Sequence, residues 1–375
     1  MNIFLTSLNL AEMISLSTNK SAMKLLYLSL VILGFNLHAQ KTKDLNVIVI
    51  TTDGFRWQEV FNGMDSAIVK QKRFHHGDSV QIISKYWASE VKERRAKLLP
   101  FFWETIAHKG QLHGNRAKGS LVNVANPFWF SYPGYSELLT GQVDPNVNSN
   151  DYKPNPNTNF FEYLNAQVTY KGKVAAFGAW DAFDRILHEK RAKFPVVSGF
   201  DRYENLNKDP QMALISNMQK ESFKVFGEVE AQDVFTHYQA LTYLKTKKPK
   251  ALYISYGETD EFAHEGHYGR YLNAAHQFDA WVAQIWDFVE KDPQYKNNTI
   301  LLITTDHGRG DRIKSSWTSH GQKVLDSHEI WFAMLGNLVE NSGEVTTNEQ
   351  IYQKDLIHLI AKKMNQPFKS VQINP

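Results

Sequence analysis

With 375 residues, 42% hydrophobic and 13% aromatic, the chain is long enough for one large or two ordinary folded domains. A formal net charge of +3 is too balanced to imply a nucleic-acid-binding surface. The absence of Cys excludes disulfides, thiolate metal sites and a Cys nucleophile.

In chain order, the first signal concerns processing. Met23-Lys24 opens a basic region, Leu25 to Phe35 is an apolar run, and Leu37-His38-Ala39 offers a cleavage site before Gln40. The run is too short to span a bilayer comfortably and fits a signal peptide over 23–39. Residues 1–22 lack this pattern, so Met23 is the expected initiator. The mature protein is then expected to begin near Gln40 and to be periplasmic or secreted. No later stretch is long and apolar enough to suggest a membrane span.

Leu45 to Thr52 reads as a strand ending in Asp53-Gly54. Phe55 to Leu98 is mixed, aromatic and basic, with no clean period. Leu99 to Lys109 predicts a helix stopped by Gly110. Asn126 to Gly141 places Ser131 just before a Pro133-Gly134 turn that leads into a short helix. Asp144 to Asn159, rich in Asn, Pro and Asp, predicts a surface loop. Lys173 to Ala179 predicts a strand, with Trp180 and Asp181 after it as candidate pocket residues, and 181–233 reads as a helical insertion or cap. Ala251 to Tyr256 is a strand, followed by Gly257 and an Asp260-x3-His264 spacing that puts both side chains on one helical face. Phe278, Trp281, Val282, Ile285, Trp286 and Val289 recur with helical period and read as core. Thr299 to Thr305 is a strand running into Asp306-His307-Gly308. Ile330 to Leu335 predicts a last strand, and Ile351 to Met364 a closing helix. Strand and helix alternate, which predicts an α/β class with a large, mostly parallel central sheet flanked by helices.

Three predicted strands thus lead to carboxylates, Asp53, Asp260 and Asp306, and parallel sheets carry their chemistry at the carboxyl ends of strands. His264 and His307 accompany two of them, and His320 follows shortly in Ser319-His320-Gly321. With Ser131, these donors suffice for two metal ions. Imidazole and carboxylate without thiolate suit zinc, less often manganese or iron, and argue against calcium or magnesium, which take oxygen ligands.

These motifs, in this order, resemble the alkaline phosphatase superfamily, and within it the nucleotide pyrophosphatase/phosphodiesterase branch. The resemblance spans Asp53 to His320. It implies a single alkaline phosphatase-like catalytic domain over 40–375, with insertions near 55–98 and 181–233. It implies two Zn2+, with manganese or iron an alternative at one position. Asp260, His264 and His320 would hold one ion; Asp53, Asp306, His307 and Ser131 would hold the other. It further implies that Ser131 attacks phosphorus, forms a phosphoserine and releases a small-molecule phosphate ester's alcohol. Gly134 stands where the branch is expected to carry a phosphate-orienting Asn, so Asn126, Arg56 and Arg309 become candidates for that contact. Ser136 is expected to cap or pack the helix. A sulfatase or a phosphoglycerate mutase-like transferase would share the fold, and a non-catalytic metal- or glycan-binding protein is the reading from another class. Against a sulfatase, Tyr135 stands where the formylglycine signal requires Arg. Oligomeric state leaves no trace in the sequence.

Overall fold

The structure is a computed structural model that describes residues 44–201 and 209–373. The expected signal peptide lies outside the described residues. Contacts divide the chain at Lys43, and everything below concerns the unit from Asp44 onward.

The central strand is β1, Asn46–Thr52. Every residue of it is buried because both faces of the sheet are covered, the usual condition of parallel strands. Its even and odd positions serve two separate cores. Ile48 and Ile50 pack on one side with the helix Tyr268–Lys291, while Val47 and Val49 pack on the other with the helices Ser131–Thr140 and Gln353–Lys363. The remaining strands are β2 (Gly110–His113), β3 (Ser120–Asn123), β4 (Val174–Gly178), β5 (Val196–Ser198), β6 (Ala251–Tyr256), β7 (Thr299–Thr304), β8 (Phe332–Gly336), β9 (Gly343–Glu344) and β10 (Glu349–Tyr352). Eight of them form one sheet in the order β5-β4-β6-β1-β7-β8-β2-β9. β8 runs antiparallel to both of its neighbours, and the other pairings are parallel. β10 and β3 form a small parallel pair apart from it.

Register brings the chemistry together. Val47 pairs with Ala251 on one side and with Ile300 on the other. β6, β1 and β7 therefore end at one edge, and the residues after them lie side by side. We label the helices that matter here α1 (Trp57–Asn62), α2 (Ser131–Thr140), α3 (Pro210–Glu221), α4 (Asp233–Lys247), α5 (Glu258–His264), α6 (Tyr268–Lys291) and α7 (Gln353–Lys363).

The predicted α/β class and parallel sheet are observed. So is the apolar stripe of α6, with Phe278, Trp281, Val282, Ile285, Trp286 and Val289 all buried. Three expectations change. Segment 55–98 folds into five short helices. Segment 181–233 is not purely helical, because Val196–Ser198 pairs with β4 and extends the sheet. Ser131 does not precede a turn: it is the first residue of α2, and Pro133 and Gly134 lie inside that helix. Proline is tolerated in a first turn, where its missing N–H has no helical acceptor anyway. Among the described residues no helix is long and apolar enough to cross a membrane.

Candidate metal centre

Asp53 follows β1 directly, and Gly54 after it turns the chain at φ 57°. That turn presents the Gly54 N–H to Asp306 Oδ1 at 3.0 Å. A Cβ on Gly54 would lie 3.1 Å from Arg309 Nε and collide with Asp260 Oδ1, so the close approach of three loops requires glycine here. Asp306 and His307 leave β7 fully buried. The Gln353 amide on α7 holds this exit by donating to the carbonyls of Thr305 and Asp306, both at 2.9 Å. α5 carries Asp260 and His264 one turn apart, with His264 Nε2 3.0 Å from Asp260 Oδ2.

Two groups of side chains converge. Asp260, His264 and His320 form one; Asp53, Asp260 and His307 form the other; within each, the donor atoms lie within 4.8 Å of one another. Asp306 joins the second group through Oδ2, 3.4 Å from His307 Nε2, and Ser131 joins through Oγ, 3.4 Å from the same nitrogen. His307 Nε2 also lies 3.3 Å from Asp53 Oδ1, and the Nε2 atoms of His264 and His320 are 2.9 Å apart. Donors 2.0–2.1 Å from a tetrahedral zinc ion sit ~3.3 Å from each other, so these spacings match the edges of a coordination shell.

Two further observations fit a cation. Asp53 Oδ1 and Asp306 Oδ2 are buried without a hydrogen-bond donor, a costly state that a dication would relieve. The imidazoles are also oriented from behind: His307 Nδ1 donates to the Gly308 carbonyl at 2.9 Å, and His320 Nδ1 faces the Trp129 carbonyl at 3.4 Å. Each ring thereby turns Nε2 toward the cluster, the arrangement typical of metal-bound histidines. All seven residues predicted as ligands are thus brought to one place.

The electrostatics carry the same strain. Burial, then repulsion from Asp306 and Asp260, raises Asp53 well above the carboxylate range. Burial pushes Asp306 up to about 7. Burial, with repulsion from His307 next, lowers His320 well below the ordinary imidazole value. For Asp260 burial is the largest single effect and acts upward, but attraction to Arg309, His320 and His264 together outweighs it and holds the carboxyl well below its usual range.

Three of the four candidate substrate contacts are otherwise engaged. Arg56 is completely buried. Its Nε donates to Glu59 Oε2 at 2.8 Å and its Nη1 to the Gly310 carbonyl at 3.0 Å, so it ties α1 to the loop after β7 and does not face a substrate. Asn126 donates its amide to Glu137 Oε2 at 2.9 Å, while its Oδ1 receives the N–H groups of Phe128 and Trp129; it shapes the loop that delivers Ser131. Gly134 has no contact to offer, because a Cβ there would meet the Asp306 carbonyl at 2.4 Å. Its smallness lets α2 press against the loop that carries Asp306 and His307. Arg309 does reach the cluster, but from behind: its Nη2 pairs with Asp260 Oδ1 and donates to the Asp260 carbonyl at 3.1 Å. Trp180 pairs through its backbone with Glu230, at the carboxyl end of β4. Ser136 is buried, receiving the Asn155 amide at 2.8 Å.

Two residues gave no sequence signal. Asn150 Oδ1 accepts the N–H of Tyr132 at 3.0 Å, which places its amide beside the first turn of α2. In the sequence it is one of several Asn residues in an apparent surface loop. Tyr135 donates to Asp53 Oδ2 at 3.0 Å, a contact only the fold reveals. A cavity of about 670 Å³ lined by Tyr152, Lys153, Pro154 and Lys190 shares no residue with the cluster. Donor chemistry, and not cavity size, marks this site.

Fold and site together define a candidate metal centre, two adjoining carboxylate–imidazole groups at the carboxyl edge of a mostly parallel sheet. The model of the metalloenzyme superfamily matches residues 153–362, more than half of the chain and including Asp260, His264, Asp306, His307 and His320. The chain belongs to the metalloenzyme superfamily. Its fold is that of the alkaline phosphatase superfamily. Murine ectonucleotide pyrophosphatase/phosphodiesterase 5 superposes with a TM-score of 0.51 at 11% identity, covering 88% of this chain and 96% of that one. The alkaline phosphatase PafA gives 0.52 at 10%, covering 88% and 97%, and Ps i-CgsB gives 0.53 at 16%, covering 87% and 73%. No curated protein sequence matched the chain.

Proposed function

We propose that the chain is an exported hydrolase of small phosphate esters that uses two zinc ions, with manganese or iron acceptable at one position, and Ser131 as nucleophile. The observation that carries this reading is Ser131 Oγ at 3.4 Å from His307 Nε2, the same nitrogen that the unsatisfied oxygens of Asp53 and Asp306 approach at 3.3 and 3.4 Å. Asp260, His264 and His320 would hold one ion; Asp53, Asp306, His307 and Ser131 the other. When bound, such dications supply a lowered hydroxyl pKa and compensation of phosphoryl charge.

The chain's own groups do the rest. Ser131 stands at the start of α2, the positive end of the helix dipole, which favours an anion. Its Oγ attacks phosphorus as the ester oxygen departs with its electron pair, leaving a phosphoserine that water then cleaves. Asn150, held by the Tyr132 N–H, is the candidate for the phosphate-orienting amide that Gly134 cannot provide. Arg56 is tied to Glu59 and Arg309 to Asp260. Two dications, three carboxylates and a serine alkoxide sum to roughly zero, so a diester monoanion is favoured over a monoester dianion. Tyr135, committed to Asp53, leaves no Arg for a formylglycine signal, and Ser131 stays unmodified.

The test is turnover of bis-p-nitrophenyl phosphate, p-nitrophenyl phosphate and p-nitrophenyl sulfate by zinc-loaded protein, with mass spectrometry of the Ser131 peptide. Diester turnover should exceed the other two. An aldehyde at Ser131 with sulfate turnover in the lead would replace this reading by a sulfatase.

A further inference from the structure

On the two-metal reading above, the two positions differ in what holds their carboxylates. Each of the three carboxylates has one oxygen held by a protein donor. For Asp53 that donor is the neutral Tyr135 hydroxyl on Oδ2, at 3.0 Å. For Asp306 it is the neutral Gly54 N–H on Oδ1, at 3.0 Å. The opposite oxygen of each, Asp53 Oδ1 and Asp306 Oδ2, is buried and without a donor. For Asp260 the donor is different in kind: a full cation, Arg309, grips Oδ1.

The position of that oxygen gives the difference its meaning. Asp260 Oδ1 lies between the two groups, 3.8 Å from His307 Nε2 and 3.9 Å from His320 Nε2. Oδ2 sits against His264 at 3.0 Å. Unheld, Asp260 could bridge both ions. With Oδ1 occupied by the guanidinium, only Oδ2 is offered, and only to the position shared with His264 and His320. Arg309 is buried, and its Nε and Nη1 find no acceptor, so its charge is compensated chiefly by Asp260. A buried, weakly screened cation depletes the donor strength of the carboxylate it holds and repels a dication beside it.

We propose that Arg309 is a positioning residue that makes the two metal positions unequal. It confines Asp260 to the His264–His320 position and weakens that position, so the Asp53–Asp306–His307 position fills first and holds its ion more tightly. The weaker position is also the more open one, since the His264 side chain is 45% exposed while those of Asp306 and His307 are fully buried. One ion is therefore resident and the other exchangeable.

Calorimetric titration of metal-stripped protein with Zn2+, repeated with Co2+ and its visible spectrum, tests this directly. Wild type should show two steps. His264→Ala should abolish the second and keep the first. Arg309→Gln, which can still donate to Asp260 but carries no charge, should tighten the second step by about tenfold, the size of effect typical of groups behind metal ligands. Arg309→Lys, which keeps the charge, should leave the second step weak. Two equal steps in wild type, or loss of the first step in His264→Ala, overturns the proposal without needing an Arg309 variant to fold. A second step in Arg309→Gln as weak as in wild type, or weaker, overturns it also. Failure of wild type to bind either ion overturns the two-metal reading itself, which separates the two failures.

Discussion

Ser131 and Arg56 show how differently two residues flanking the same site behave. Ser131→Ala removes the oxygen proposed to attack and leaves α2 and the other six candidate ligands in place. It should cut kcat by about a thousandfold or more while the fold persists. Ser136→Ala is the control, because Ser136 is turned toward Asn155; its turnover should stay within a small factor of wild type. Steady-state kinetics with the preferred nitrophenyl ester decide it, and the assignment fails if the two variants exchange behaviour. Arg56→Met should do the reverse. It orphans Glu59, which is buried and also receives the Tyr268 hydroxyl at 2.9 Å, and losing one partner of a buried ion pair costs about 3–5 kcal/mol. Urea denaturation should show that loss, with an unchanged diester-to-monoester ratio in whatever folded enzyme remains. Arg56 was an attractive substrate contact in the sequence because it lies three residues from Asp53. Adjacency along the chain says nothing about which side of the sheet edge a side chain takes, and Glu59, one turn on, draws it inward.

At the scale of elements, the sequence exposed what repeats and hid what packs. β1, β6 and β7 are apolar runs that stop at carboxylates, so both the strands and the carboxylates gathered at their ends were readable. β9 and β10 have two and four residues and no buried alternation, and β5 was hidden inside a segment that carried no periodic signal. Gly134 is the instructive case. Its sequence position suggested a missing side-chain contact, whereas α2 needs a residue without Cβ to approach Asp306. Gly134→Ala should therefore cost about 1–3 kcal/mol by overpacking and weaken metal binding, as the helix shifts the loop bearing Asp306. Thermal melts and zinc titration check it; a variant with wild-type stability would show that the approach is not tight. A second element-level device is Asp279 on α6, whose carboxylate accepts the N–H groups of Phe101 and Phe102 at 2.8 and 3.0 Å and so caps the helical segment before β2. Burial raises this carboxyl from 3.8 to about 7. A raised folded-state pKa means that the native chain binds more protons than the unfolded chain between those values. The stability this group contributes is complete below about 4 and is lost as pH rises toward 7, at up to about 1.4 kcal/mol per pH unit. Asp279→Asn removes the titration. The variant should gain on wild type between pH 5 and pH 8 in urea denaturation, and a pH-independent difference would refute this account.

For the whole molecule, the candidate centre lies where three neighbouring strand ends, α2, α5 and α7 all meet, so ions bound there as proposed would be thermodynamically linked to the fold. The metal-free chain must keep Asp53, Asp260 and Asp306 together at that edge, with Arg309, the imidazoles and the Tyr135 and Gly54 donors to offset their repulsion, and with Asp53 Oδ1 and Asp306 Oδ2 unsatisfied. An ion that binds the native state alone stabilises it by RT ln(1 + [L]/Kd), about 2.7 kcal/mol at a hundredfold excess over Kd. Chelation should therefore lower the midpoint of thermal unfolding as well as abolish turnover. Zinc should restore both, and calcium should restore neither, because imidazole nitrogen is a poor ligand for a hard cation. Elemental analysis of protein purified from the periplasm or medium should find about two zinc ions per chain, on a polypeptide whose first residue lies close to Gln40. Differential scanning calorimetry with and without chelator provides the readout independent of activity. An unfolding midpoint indifferent to chelation, in protein that retains full turnover with calcium alone, would remove the zinc centre from this molecule and the hydrolase reading with it.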